Sequence, residues 1–211
     1  MAFYISRFKG IERREFKVEV VTPLFLGGAD PKKAELRAPS IKGALRFWWR
    51  ASYGSDNLEE MKMRESEIFG STENKANFSI QLENKPETDS VVADLPPGLK
   101  VLTQSKGKNF KISIIDYLAY GLCEYKREKK KNVYTKAHIP AGTKFSIILS
   151  FNNQFHKEDI LKAFYAFIKY GGLGARSRNG FGSLNLGNAI EDSKFSGTLK
   201  TFTAFNEHTK I

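Results

Sequence analysis

Five of the twelve residues from Gly171 to Gly182, GGLGARSRNGFG, are glycine, and they follow directly on a stretch whose apolar residues recur at helical spacing. Within residues 157–170, Ile160, Phe164, Phe167 and Ile168 share one face of a helix, which must therefore stop where the glycines begin. A dinucleotide fingerprint or a P-loop opens a helix, so that phosphate meets the helix N-terminus. This loop instead leaves a helix C-terminus, and no nucleotide cofactor is implied. Glycines here, Gly172 and Gly174 among them, permit positive φ and leave bare backbone next to Arg176 and Arg178, a combination open to close approach by a phosphodiester. A helix C-cap and a hairpin turn account for one or two of these glycines, but not for so many beside two arginines.

The elements around the loop follow from periodicity. Residues 16–22 (FKVEVVT), 76–84 (ANFSIQLEN) and 143–151 (TKFSIILSF) read as strands, and residues 181–186 form a last strand after the loop. Residues 41–53 are helical, because Ile41, Leu45 and Trp48 recur at spacings of four and three, with Ser40 as N-cap and Gly54 as stop. A second helix is expected over residues 57–69. The order of strand, helix, strand, strand, helix, strand predicts an α+β chain of ferredoxin-like (RRM-like) βαββαβ type, whose four-stranded sheet is covered on one face by two helices. Residues 84–142 then form a long central insertion, with a helix over 112–125 and the charged run KREKKK at 126–131, and residues 188–211 form a polar tail. Length suits a single domain over 1–211.

Turning about 100° per residue, Lys42, Arg46, Trp49 and Tyr53 fall on a stripe beside the apolar one, with Arg50 at its edge. Two readings fit it. Lys42, Arg46 and Arg50 pair with phosphates while Trp49 or Tyr53 stacks on unpaired bases, or the stripe is a solvated basic face with both tryptophans in the core. A net charge of +11 with 13% aromatic residues favours a polyanionic partner, and single-stranded RNA suits interleaved cations and rings.

Other chemistries find little to use. Cys123 is the sole cysteine, which excludes an internal disulfide and suits a reducing cytoplasm. No stretch approaches the apolar length that spans a bilayer, so no membrane partner is expected. His138, His156 and His208 are scattered, and Asp30, Glu35, Asp56, Glu59, Glu60, Glu65 and Glu67 show no liganding pattern, so neither a general base nor a metal site is expected.

Three stretches, TPLFLGGAD, ELRAPSIKGALRFWWR and YGGLGARSRNGFGSL, together resemble the RAMP proteins of CRISPR systems, and among them the first-numbered Cmr subunits of type III-B effectors. They occur in the family's order between Val21 and Leu184. The resemblance implies a ferredoxin-like RAMP domain whose glycine-rich loop and first helix help hold guide or target RNA within a multisubunit complex, with other Cmr-type subunits as partners and no catalysis of its own. Members of that subunit family usually carry two such domains, whereas one set of motifs is present here. Two other functions stay open: a metal-independent RAMP endoribonuclease, and a scaffold whose central insertion docks neighbouring subunits.

Overall fold

The computed structural model describes residues 10–28, 30, 33–89, 95, 98–152 and 155–186, and the expected tail at 188–211 lies outside the described residues. The chain runs β1 (Glu12–Val20), β2 (Lys33–Glu35), α1 (Ala38–Tyr53), α2 (Leu58–Phe69) and β3 (Phe78–Glu83). A central segment follows with β4 (Glu87–Asp89), β5 (Lys100–Ser105), β6 (Lys108–Ser113), α3 (Ile114–Leu118), β7 (Cys123–Lys126) and β8 (Lys131–Tyr134). It closes with β9 (Lys144–Phe151), α4 (Lys157–Tyr170) and β10 (Leu184–Asn185). This is a mixed α+β chain built on an antiparallel sheet.

The sheet has the order β10-β1-β9-β3, with every neighbour antiparallel. Phe16 faces Ile147 and Val18 faces Phe145 across β1 and β9, while Phe78 and Ile80 face Phe151 and Leu149 across β3 and β9. Period-two alternation puts these apolar residues on one face, where α1 and α4 cover them. Ile41 and Leu45 of α1 and Ile160, Phe164 and Phe167 of α4 are buried there, and the Phe16 and Phe164 rings lie 4.5 Å apart. Fully burying each such side chain contributes about 1.5–3 kcal/mol, which is why the helical spacing of these residues was legible. The opposite sheet face carries Glu15, Lys17, Gln81 and Ser146, with Ser146 Oγ donating to Glu15 Oε1 at 2.7 Å. Among the described strand residues that face has no aromatic ring on which a base could stack.

Several expected boundaries move for local reasons. The first helix begins at Ala38 rather than after Ser40: Arg37 is the extended N-cap residue and Pro39 occupies the first turn, where its missing N–H costs nothing. The second helix is capped by Asn57, whose Oδ1 accepts from the Glu60 N–H at 3.3 Å. The helix expected over 112–125 is only the five-residue α3, because Gly121 at φ +84° leaves the helical region and the chain then pairs β7 with β8. The KREKKK run is the tip of that hairpin. The strand expected over 181–186 shrinks to β10, because Gly182 at φ +66° turns its N–H to the Pro23 carbonyl.

Candidate nucleic-acid interface

The glycine-rich loop is fixed by the segment that follows β1. Ala175 N–H donates to the Phe25 carbonyl at 2.8 Å, Gly182 N–H to Pro23 at 3.0 Å, and Val21 N–H to Ser183 at 2.8 Å. Thr22 Oγ1 adds a bond to the Gly180 carbonyl at 2.7 Å. The same segment then passes to α1, with Glu35 N–H donating to the Leu26 carbonyl at 2.8 Å. The three motifs, distant in sequence, thus meet at one place.

This stitching explains the glycines differently from close approach by RNA. A Cβ on Gly174 would run into the Phe25 carbonyl, one on Gly182 into the Leu173 carbonyl, and one on Gly171 to within 2.6 Å of Trp48 Nε1. On Gly172 it would stand 2.9 Å from the Phe181 carbonyl. These residues are small because protein, not ligand, occupies the space. Gly174 also sits at φ +87° and Arg176 at φ +58°, in the left-handed region.

Between the loop and α1 lies a groove of about 410 Å³, lined by Leu26, Ser40, Ala44, Phe47, Trp48, Tyr170, Gly172, Leu173, Gly174 and Arg178. Phe47 is 56% exposed and meets Trp48 edge-on at 5.6 Å, so an aromatic wall opens to solvent beside bare backbone and a guanidinium. Arg176 and Arg178 are both exposed, and among the described residues neither has a carboxylate partner.

The cationic stripe of α1 turns away from this groove. Arg50 gives Nε and Nη2 to the two oxygens of Glu65 at 2.6 Å each, which raises its pKa, and Arg46 Nε lies 3.2 Å from Glu65 Oε1. The Arg46 guanidinium also sits over Phe69, and Lys42 Nζ over Phe78 at 5.7 Å. Burial and the nearby Arg46 lower the Lys42 pKa. Trp49, expected as a stacking surface, is 0% exposed and packs on Phe69 and Tyr53, so no base reaches it. The loop and α1 do meet, but through Ser40, Ala44, Phe47 and Trp48. Phe47 was overlooked because it carries no charge, although its place off the core stripe marks it as an exposed ring.

Two of the three histidines are held structurally, and His208 lies outside the described residues. His138 is buried between Phe25 and Tyr134, with Nδ1 3.2 Å from the Lys136 carbonyl. His156 lies 3.5 Å from Glu67 and 3.8 Å from Asp159 in the packing of α4 on α2. Among the described residues no three His, Cys, Asp or Glu side chains form a metal-holding group, and no helix is long and apolar enough to cross a membrane.

Comparison with known proteins places the chain in a defined group. The RAMP superfamily model matches residues 17–185. The chain is 32% identical over 183 residues to the CRISPR system Cmr subunit Cmr1-2 of Pyrococcus furiosus, covering 81% of this chain and 93% of that one. It is 27% identical over 204 residues to subunit Cmr1-1 of the same organism, covering 93% of this chain and 55% of that one. The crystal structure of apo Cmr1 from P. furiosus superposes with a TM-score of 0.53 at 22% identity, over 83% of this chain and 49% of the other. A chain of the type III-B Cmr-beta complex, seen by cryo-EM with cognate target RNA and AMPPnP, gives 0.50 at 14% identity, over 83% and 56%. The chain thus spans nearly all of Cmr1-2 and about half of the solved chains, whose likeness is one of fold.

Proposed function

The chain belongs to the RAMP superfamily as a homologue of Cmr1 subunits, and we propose that it serves as a non-catalytic RNA-binding subunit of a type III-B (Cmr) CRISPR effector. We read its β10-β1-β9-β3 sheet under α1 and α4 as the ferredoxin-like domain of that superfamily, with residues 84–142 as a central insertion. Guide RNA, target RNA or both, together with neighbouring Cmr-type subunits, are the partners this reading assigns.

The observation that carries it is the convergence of all three motifs on a groove with an exposed aromatic wall, lined by Arg178 and with Arg176 two residues away on the same loop, neither arginine having a carboxylate partner among the described residues. Arg176 and Arg178 would take the phosphates, and Phe47 would offer a ring to an unpaired base. Gly172 and Gly174 shape the floor. Lys42, Arg46 and Arg50 act at a distance, because two arginines share the single carboxylate of Glu65 and leave a net positive flank. Trp49 supports this helix from within the core.

Crosslinking to guide and target strands in a reconstituted effector tests the assignment. Adducts should map to the loop and to α1 near Phe47, and the RNA should stay intact with or without magnesium or manganese. Cleavage that vanishes in Asp30→Ala, His138→Ala or Lys42→Ala protein would make the chain a nuclease instead, and adducts confined to other subunits would make it a scaffold.

A further inference from the structure

The turn that follows α3 carries two tyrosines at the surface, Tyr117 at 73% and Tyr120 at 75% exposed. The Tyr120 N–H donates to the Tyr117 carbonyl at 3.2 Å, so the two residues span an i to i+3 turn that brings their side chains to the same side. Among the described residues neither ring packs on another ring, and both side chains are largely exposed to solvent. Exposure of this kind is unusual for side chains of this size, which normally bury most of their carbon surface.

Their backbone is not loose. Ala119 and Leu122 lie on either side of Tyr120 and are buried with Phe25, Tyr134 and Phe181 in a small second core. Asn179 Nδ2 of the glycine-rich loop donates to the Leu118 carbonyl at 3.1 Å. The guanidinium of Arg176 lies against Gly121, its Nη2 3.7 Å from where a Cβ would stand there. Tyr120 is therefore next in sequence to the residue that Arg176 touches. The surroundings are positive: residues 114–136 hold six lysines and arginines against three acids, and neither Arg176 nor Arg178 has a carboxylate partner among the described residues.

We propose that Tyr120, with Tyr117 beside it, is a stacking platform for unpaired bases of single-stranded RNA whose backbone lies on Arg176. The platform rests on the RNA-binding reading above and extends it to the far side of the loop, onto the insertion. Every base has a π face, so a tyrosine platform is tolerant of sequence, and it serves only strands whose bases are not already stacked in a duplex. A protein partner would have to bring both an apolar surface for the tyrosines and carboxylates for the guanidiniums, whereas every nucleotide of RNA supplies a base and a phosphate together.

The test uses the full chain and a short fluorescein-labelled oligoadenylate, beside an abasic strand of equal length. Tyr120→Ala should weaken oligoadenylate binding about tenfold and Tyr120→Phe should leave it unchanged, because stacking uses the ring and not the hydroxyl. Both variants should melt like the parent, since the side chain is exposed, and should bind the abasic strand as the parent does. Arg176→Ala should weaken binding of both strands. If Tyr120→Ala and Tyr117→Ala bind oligoadenylate like the parent while Arg176→Ala does not, the platform is wrong and the RNA-binding reading stands. If Arg176→Ala and Arg178→Ala are also without effect, both are wrong.

Discussion

A Cβ on Gly174 has nowhere to go: the Phe25 carbonyl fills its position, and φ +87° strains any L side chain there. Gly174→Val should therefore destabilise the fold by about 2–5 kcal/mol, read as a lower melting temperature, with loss of RNA binding following the loss of structure. Tyr134 presents the opposite case. Its hydroxyl is buried without a hydrogen-bond partner among the described residues, and burial pushes its pKa up to about 12. Because the buried phenol ionises less readily than the unfolded one, stability is untouched by its titration below the unfolded value of about 10 and falls as pH climbs from there towards 12. Tyr134→Phe should be neutral or stabilising by about 1 kcal/mol at neutral pH and should flatten part of the fall in melting temperature across that alkaline window. At this scale the sequence showed that glycines mattered but not why. Leu173 meets Gly182 only when the loop closes on itself, and Phe25 meets Gly174 only when the segment after β1 folds across the loop.

At the scale of elements, α2 holds back the charge of α1. Glu65 is mostly buried and is shared by Arg46 and Arg50, so one acid restrains two cations on the flank of the groove. Glu65→Gln should free one unit of positive charge: RNA should bind more tightly at low salt, while the helix pair loses about 1 kcal/mol or less of stability, as titration and thermal melting of the same protein will report. Tighter binding would separate a cationic flank that RNA senses from one that is merely solvated. The two core helices and the sheet strands were legible because each buries one periodic face. The stripe of Lys42, Arg46 and Trp49 was legible as a stripe but not as to what it faces, since Phe69, Phe78 and Glu65, which decide that, come from later elements. Within the central segment, residues 112–125 were read as one helix because their apolar residues recur near helical spacing, while Gly121 and the pairing of β7 with β8 cut it to α3.

For the whole molecule, 34 lysines and arginines against 23 acids describe a field rather than a site. What localises it is topology. The crossovers that give the order β10-β1-β9-β3 put α1 and α4 side by side, so the loop leaving α4 lies against α1 and the segment after β1 ties it down. The central claim is that single-stranded RNA is held electrostatically at this loop. Its most direct measurement is the affinity of the full chain for a single-stranded oligonucleotide across a range of salt concentrations, for the parent and for Arg176→Ala and Arg178→Ala. Binding should weaken steeply as salt rises, and each substitution should cost roughly 1.5–3 kcal/mol and lower the log–log salt slope by about 0.7, without changing the melting temperature. An affinity indifferent to salt, or folded arginine variants that bind like the parent, would contradict it.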